Sequence, residues 1–322
     1  MLVPFSYLIL RSVEVDARII ADFIFRPHTL QLLKNTILLT LSVCLFSTLI
    51  AVPIAWLVVC SDLKYKKLVS FLSVMPLAIP GYVMAFALIA MGGYYGFLYQ
   101  FFGLRFARPE GIQWNSLLTL SVNTSALAFF AAFAAILVAL PPACLSVRYY
   151  SRSSLLLDRL VYFCYAVPSL PFALAMIFLT INVFPFIYQT FPMLVLAYAL
   201  SYAALAMGPI KTTLLQRGTH LEETAQSFGY GGGAVFMKVT VPALYKSFIS
   251  GGVLVFLVVV KDLPLAMLLS PTGFKTLSME VFHRTEEAML VDAAPYAGLL
   301  VLFSAIFVAI IVLFDQRGLG TK

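Results

Sequence analysis

Residues 223–242 read ETAQSFGYGGGAVFMKVTVP. The stretch is polar and glycine-bearing, and it separates long apolar runs. On either side of it, no Asp, Glu, Lys or Arg occurs in residues 35–61, 68–104, 111–147, 160–210 or 293–314. A helix that crosses a bilayer needs about 20 apolar residues. Each run suffices for one span, and 160–210 for two. Pro and Gly interrupt the runs, but none alternates as a half-buried strand does. Backbone groups in lipid must be satisfied internally, which leaves helices or a closed barrel. Barrel strands are about ten residues long with a period of two. The pattern therefore predicts an all-α polytopic membrane protein. Spans are expected near 33–60, 67–93, 115–147, 155–186, 190–209, 243–269 and 293–314, some seven to eight membrane helices with the N-terminal stretch included.

Composition agrees. Of 322 residues, 62% are hydrophobic and 11% charged, with mean hydropathy +0.98. A soluble chain carries roughly 25% charged residues. The net charge of +7 does not point to nucleic acid, because the basic residues sit in short segments between apolar runs. Lys64, Lys66 and Lys67, then Arg148 and Arg152, then Lys211, Arg217, Lys238 and Lys246, then Arg317 and Lys322 mark the cytoplasmic side by the positive-inside rule. Arg11, Arg18, Arg26, Arg105 and Arg108 fall on the other side. Residues 93–114, rich in Gly and aromatics, suit the outer interface. Cys44, Cys60, Cys144 and Cys164 lack metal or redox spacing and read as packing residues. His28, His220 and His283 are scattered, so neither a metal site nor a cofactor is expected on this chain. Residues 1–10 are apolar but too short to span. They read as a partial first helix or one lost by truncation.

A repeat runs through the chain at an offset of 88 residues. Asn35-Thr36 recurs as Asn123-Thr124, Pro53 as Pro141 and Pro80 as Pro168. Apolar positions keep the same register, among them Leu39 as Leu127 and Ala85 as Ala173. Matching Asn, Thr and Pro positions weigh more than matching Leu and Ala, so duplication is the reading. Transporters are often built this way. The division expected is a partial first repeat, 1–113, and a second, 114–322, which alone carries a loop at 217–242.

That loop has a physical logic. Glu222, Glu223 and Ala225 suit the opening of a short helix, because acidic side chains favour helix N-termini. Gly229 permits a left-handed turn. Residues 230–238 then form a second short helix with Val235, Phe236 and Val239 on one side. Pro242 marks the entry to the next membrane helix, where Pro is tolerated in the first turn. Two short helices at an angle make a knob that can dock in a groove and carry rigid-body motion. A second feature is Lys261-Asp262-Leu263-Pro264, directly after an apolar run. A charge deep in a membrane costs at least about 2.5–3.5 kcal/mol and usually marks a path or a pair. Pro264 should break the helix and free carbonyls. Two readings stand side by side: a gate or translocation-path element formed by Lys261, Asp262 and Pro264, or a helix end with an interfacial charge pair.

Glu223-x-Ala225, three residues, Gly229, nine residues, then Val239-x-Val241-Pro242 resembles the cytoplasmic coupling loop (the EAA loop) of ABC-type import permeases. Thr224 stands where that family usually has Ala, and Val239 and Val241 replace Ile and Leu. Lys261-Asp262-Leu263-Pro264, the pair Leu268-Leu269, Gly273-Phe274-x-Thr276-Leu277 and the acidic tail Glu286-Glu287-Ala288 to Asp292-Ala293-Ala294-Pro295 are similar to the iron(III)-transport branch, with Asp262 in place of the usual Glu. The resemblance covers residues 29–314. It implies a type I (MetI-like) importer transmembrane domain in a bacterial inner membrane and no enzymatic chemistry. It also implies a periplasmic substrate-binding protein outside and a cytoplasmic ATPase dimer inside. The ATPase would be engaged through Glu222, Glu223, Ala225, Gly229, Val239, Val241 and Pro242. Members of the branch usually have two fused halves, each with a coupling loop. With one loop, this chain would dimerise, pair with a second permease, or be an inactive shortened form. Cargo other than ferric iron in the same branch would be thiamine, a polyamine or an anion. An ion-coupled secondary transporter would use Asp262 as its membrane carboxylate. A membrane enzyme would lean on Tyr149, Tyr150 and Arg152, which read better as interfacial anchors.

Overall fold

The computed structural model describes residues 6, 24–61, 66–74, 76, 79–84, 114–287 and 289–319. The apolar stretch 1–10 (Ser6 apart), the interface segment 93–113 and the C-terminal part of the expected span 67–93, from residue 85 on, lie outside them. The chain forms two compact units, Phe5–Pro76 and Met1–Pro4 with Leu77–Lys322.

In the first unit, α1 (Pro27–Cys60) is a 34-residue helix with no buried residue, and α2 (Lys66–Val74) follows it. The helix is apolar all round, which suits lipid. Thr36, Thr40, Ser42 and Thr48 each turn the hydroxyl back to the carbonyl four residues earlier, at 2.7–2.8 Å. That bond satisfies a polar group where no water is available.

The second unit holds α3 (Trp114–Arg148), α4 (Arg152–Ala166), α5 (Ser169–Val183), α6 (Phe191–Arg217), α7 (His220–Ser227), α8 (Gly232–Val235), α9 (Val241–Ala243), α10 (Tyr245–Lys261), α11 (Pro264–Leu269), α12 (Leu277–Glu286) and α13 (Leu290–Leu319). α6 is central. Met193, Leu194, Ala197, Ala203, Ala206, Met207 and Ile210 are enclosed along it, and α3 and α10 pack on it and on each other. Small residues allow the close approach that membrane helices favour. A Cβ at Gly251 of α10 would stand 2.9 Å from the Cα of Ala206. Ala128, Ala131, Ala135, Ala139 and Ala143 line the buried face of α3.

Two expected spans are broken. Residues 155–186 are not one helix: α4 and α5 meet at 109°. Pro168 has no N–H to give, and its ring drives Val167 out of the helical region, to φ −74 and ψ 130. Residues 243–269 divide at Asp262 and Leu263, because Pro264 opens a new helix instead of continuing the old one. The expected 190–209 span runs on through Lys211 to Arg217. Among the described residues α1, α3 and α6 are long and apolar enough to cross a membrane, and two bent pairs raise the count to five.

α1 and α3, of 34 and 35 residues, end at Cys60 and Arg148, positions that correspond at the offset of 88. The carbonyls of Pro80 and Pro168 accept from Met84 and Phe172, four residues on in each copy, at 3.0 and 3.2 Å.

Candidate functional site

The polar loop leaves α6 at Gly218, whose φ of +62 only glycine adopts without strain. Glu222 and Glu223 lie in the first turn of α7. The helix closes in a paired cap: Tyr230 N–H donates to Ala225 O at 3.3 Å and Gly229 N–H to Gln226 O at 2.8 Å, with Gly229 at φ +86. This is the Schellman arrangement. It explains the Ala225–Gly229 spacing, because the left-handed turn at Gly229 brings the next N–H, that of Tyr230, back onto the Ala225 carbonyl. The second arm is α8 followed by a π-helical turn, Phe236–Thr240, in which Val241 N–H donates to Phe236 O. Pro242 lacks the N–H that an α-helix would direct at Lys238 O, and its ring crowds that carbonyl, so the turn widens. Val235 is buried, and Phe236 and Val239 are half-buried. Pro242 does not open the membrane helix as expected. It sits in α9, and α10 begins at Tyr245 after a bend of 63°.

The two glutamates separate. Glu223 is exposed and accepts from the Thr219 hydroxyl. Glu222 turns inward to an ion pair with Arg148, the last residue of α3, at 3.0 Å. The Arg148 guanidinium also donates to Leu214 O at 3.2 Å and to Gly218 O. These are carbonyls that the end of α6 leaves without helical partners. Thr240, buried, donates to the other Glu222 oxygen at 3.0 Å. Arg148 and Thr240 were not among the expected site residues. Arg148 entered the sequence reading only as a topological charge. Lys211 pairs with Asp158 of α4 near this end. The basic segments at 148–152 and 211–246 thus come together at one end of the bundle, as the positive-inside pattern requires.

The second expected site lies along α10, away from the loop. Lys261 is half-buried in its last turn. Asp262 is enclosed by protein. Its carboxylate accepts from Tyr202 Oη at 2.7 Å, from Tyr198 Oη at 3.1 Å and from Leu265 N–H at 3.1 Å. The last of these caps α11. Pro264 is the first residue of α11, as its fixed φ allows. Ser169, the first residue of α5, lies close to the same carboxylate. The breaks at Pro168 and Pro264 therefore converge on one acidic side chain. Tyr198 and Tyr202 escaped the sequence reading. The available signal was two phenols at i and i+4 in an otherwise apolar span, a spacing that puts both on one face.

Beyond the break, Pro271 to Gly273 turn the chain, with Gly273 at φ +83 and Phe274 N–H donating to Pro271 O at 3.0 Å. Phe274 packs edge-on against Phe191 at the start of α6. Thr276 caps α12 through Met279 N–H. A cavity of about 210 Å³ opens here, lined by Leu263, Met267, Lys275, Met279, Glu280 and His283 among others. No group of three or more His, Cys, Asp or Glu able to hold a metal ion occurs among the described residues.

Residues 131–317 match the family described as binding-protein-dependent transport system inner membrane component. The chain is 34% identical over 184 residues to the Fe(3+)-transport system permease protein FbpB 2 of Haemophilus influenzae (strain ATCC 51907 / DSM 11121 / KW20 / Rd). That alignment covers 57% of this chain and 36% of the relative, so the chain matches about a third of the relative's length. Two solved structures are similar in backbone. One is a bacterial alginate ABC transporter in complex with an alginate pentasaccharide-bound periplasmic protein, at 17% identity and TM-score 0.49, covering 86% of this chain and 94% of that one. The other is an amino acid ABC transporter, at 16% identity and TM-score 0.48, covering 64% and 95%. The family match takes in more than half of the sequence, including the polar loop and the Asp262 break. The chain belongs to the family of binding-protein-dependent transport system inner membrane components, multi-pass proteins of the inner membrane.

Proposed function

We propose that this chain is the permease subunit of an ATP-driven importer that passes ferric iron from a periplasmic binding protein to the cytoplasm by alternating access. The observation that carries the reading is the knob at 219–243, exposed at its tip and braced at its root by Arg148 and Glu222. Phe228, Tyr230 and Met237 project from it, each at least half exposed. Apolar and aromatic side chains of this kind anchor protein interfaces, and the partner is a cytoplasmic ATPase dimer. Glu223, Ala225 and Gly229 shape the first arm of the knob; Val239, Val241 and Pro242 shape the second. Glu222 holds the knob to the bundle.

The stroke has a route. α6 and α10 both lead out of the knob, and they meet again at Asp262 through Tyr198 and Tyr202. Two helices tied at both ends move as one body, so tilting passes to α11 and α12 beyond the Pro264 break. Lys261, Asp262 and Pro264 form the hinge beside the translocation path. Ion-coupled secondary transport would also use a carboxylate between broken helices. Here protein donors already occupy both oxygens of Asp262, which favours a hinge over a cation site. A dimeric ATPase offers two docking grooves, so the proposed partners also include a second permease copy, in a homodimer or as a different chain.

The test is release of radiolabelled ferric ion from inverted vesicles loaded with it and with binding protein, with ATPase added outside. ATP-dependent transport of iron out of the binding-protein compartment supports the reading, and Glu223→Ala combined with Gly229→Val should abolish it with membrane insertion unchanged. Transport that persists in the double variant contradicts the coupling assignment. Transport of thiamine, a polyamine or an anion instead of iron contradicts the cargo.

A further inference from the structure

We propose that α3 is a second transmission arm of the permease, with Arg148 at one end and Asn123 and Thr124 near the other as positioning residues, an inference that deepens and rests on the permease reading. The knob is joined covalently to α6 and α10, whereas α3 reaches it through side chains. Arg148 binds Glu222 and the carbonyls of Leu214 and Gly218. Toward the far end, buried Thr124 accepts from Leu277 N–H at 2.9 Å, and Asn123 donates to Lys275 O at 3.2 Å. The two grips are about 36 Å apart at 1.5 Å per residue. Leu277 opens α12, and the next hydroxyl, Ser278, donates to the backbone carbonyl of Asp262 at 3.0 Å. Contacts therefore run without a gap from Glu222 through α3 to the segment that borders the 210 Å³ cavity and supports the α10–α11 break.

The internal repeat separates the two grips. α1 keeps Asn35-Thr36 in the register of Asn123-Thr124, but Cys60 stands where α3 has Arg148 (60 + 88 = 148). The arginine accompanies the copy that has a knob to hold. The alanine face of α3 seats it tightly on its neighbours with few rotatable groups to absorb displacement. A packed element that two distant sites both grip is the physical requirement for coupling between them.

Hydrogen exchange of the full chain in nanodiscs tests this without any partner. Arg148→Gln should speed exchange at the amides of 219–224 beside it and also at 275–279. Thr124→Val should loosen 275–279 and also 219–224. The distal effect expected is on the order of two- to thirty-fold in rate. Thr124→Ser keeps the hydroxyl and should restore both segments. Should Thr124→Val fail to insert, Asn123→Ala breaks the neighbouring bond and serves the same comparison. Changes confined to the mutated end in both variants would overturn the arm and leave ATPase docking, read by co-purification with the unaltered chain, intact. Long-range coupling with no ATPase co-purifying would instead remove the permease reading and leave the mechanical link standing.

Discussion

Asp262 illustrates what a carboxylate needs when it is folded into an apolar bundle. An unpaired charge there is expensive, and Tyr198, Tyr202 and the Leu265 N–H supply the donors. Hydrogen bonds to a charged group contribute about 1.5–3 kcal/mol each. Tyr202→Phe should lower stability by about that amount, read as an earlier unfolding midpoint in detergent. Tyr198→Phe should cost less, because its bond is the longer one. An unchanged midpoint for Tyr202→Phe would mean that the short bond is not made. The acidic residue was legible because it interrupts an apolar run. Its partners were not, since they lie 60 and 64 residues earlier and only the folded chain brings them near. Arg148 was hidden for a different reason. A basic residue at a helix end satisfies the positive-inside rule without help, so nothing in the sequence asked for a second role.

Glycines and prolines set the elements. The left-handed turn at Gly229 was readable from spacing, and its cap gives the motif a cause. Gly229→Ala forces a Cβ into a left-handed backbone, which costs about 1–2 kcal/mol, and should raise protease sensitivity within the knob while the membrane helices stay protected. Equal sensitivity in both chains would contradict the turn. Gly251 makes the other demand. Its closeness to Ala206 leaves no room for a methyl group. Gly251→Ala should cost about 1–3 kcal/mol through overpacking and separate α6 from α10, with a lowered melting temperature as the readout. The breaks at Pro168 and Pro264 were only half legible. Pro264 announced itself beside two charges, but Pro168 lay within an apolar run, and membrane helices such as α1, α3 and α6 carry Pro53, Pro141 and Pro209 unbroken. What differs at Pro168 is the residue before it, which takes extended backbone instead of helix.

At the scale of the whole molecule, the all-helical membrane architecture followed from run length and the shortage of charge. The expectation of a repeat rested on Asn, Thr and Pro positions; α1 and α3 end at Cys60 and Arg148, which correspond in that register. The structure adds the two ties, at Glu222 and at Asp262, that turn the knob, α6, α10 and α3 into one frame. The most direct measurement places a photoreactive phenylalanine analogue at Phe228, 79% exposed on the knob, in inverted vesicles that contain the ATPase. Illumination should join the permease to the ATPase, with a yield that changes when ATP is added. Cross-links to lipid alone, or reaction only with reagents on the periplasmic side, would contradict the knob as the point where the motor engages the membrane helices.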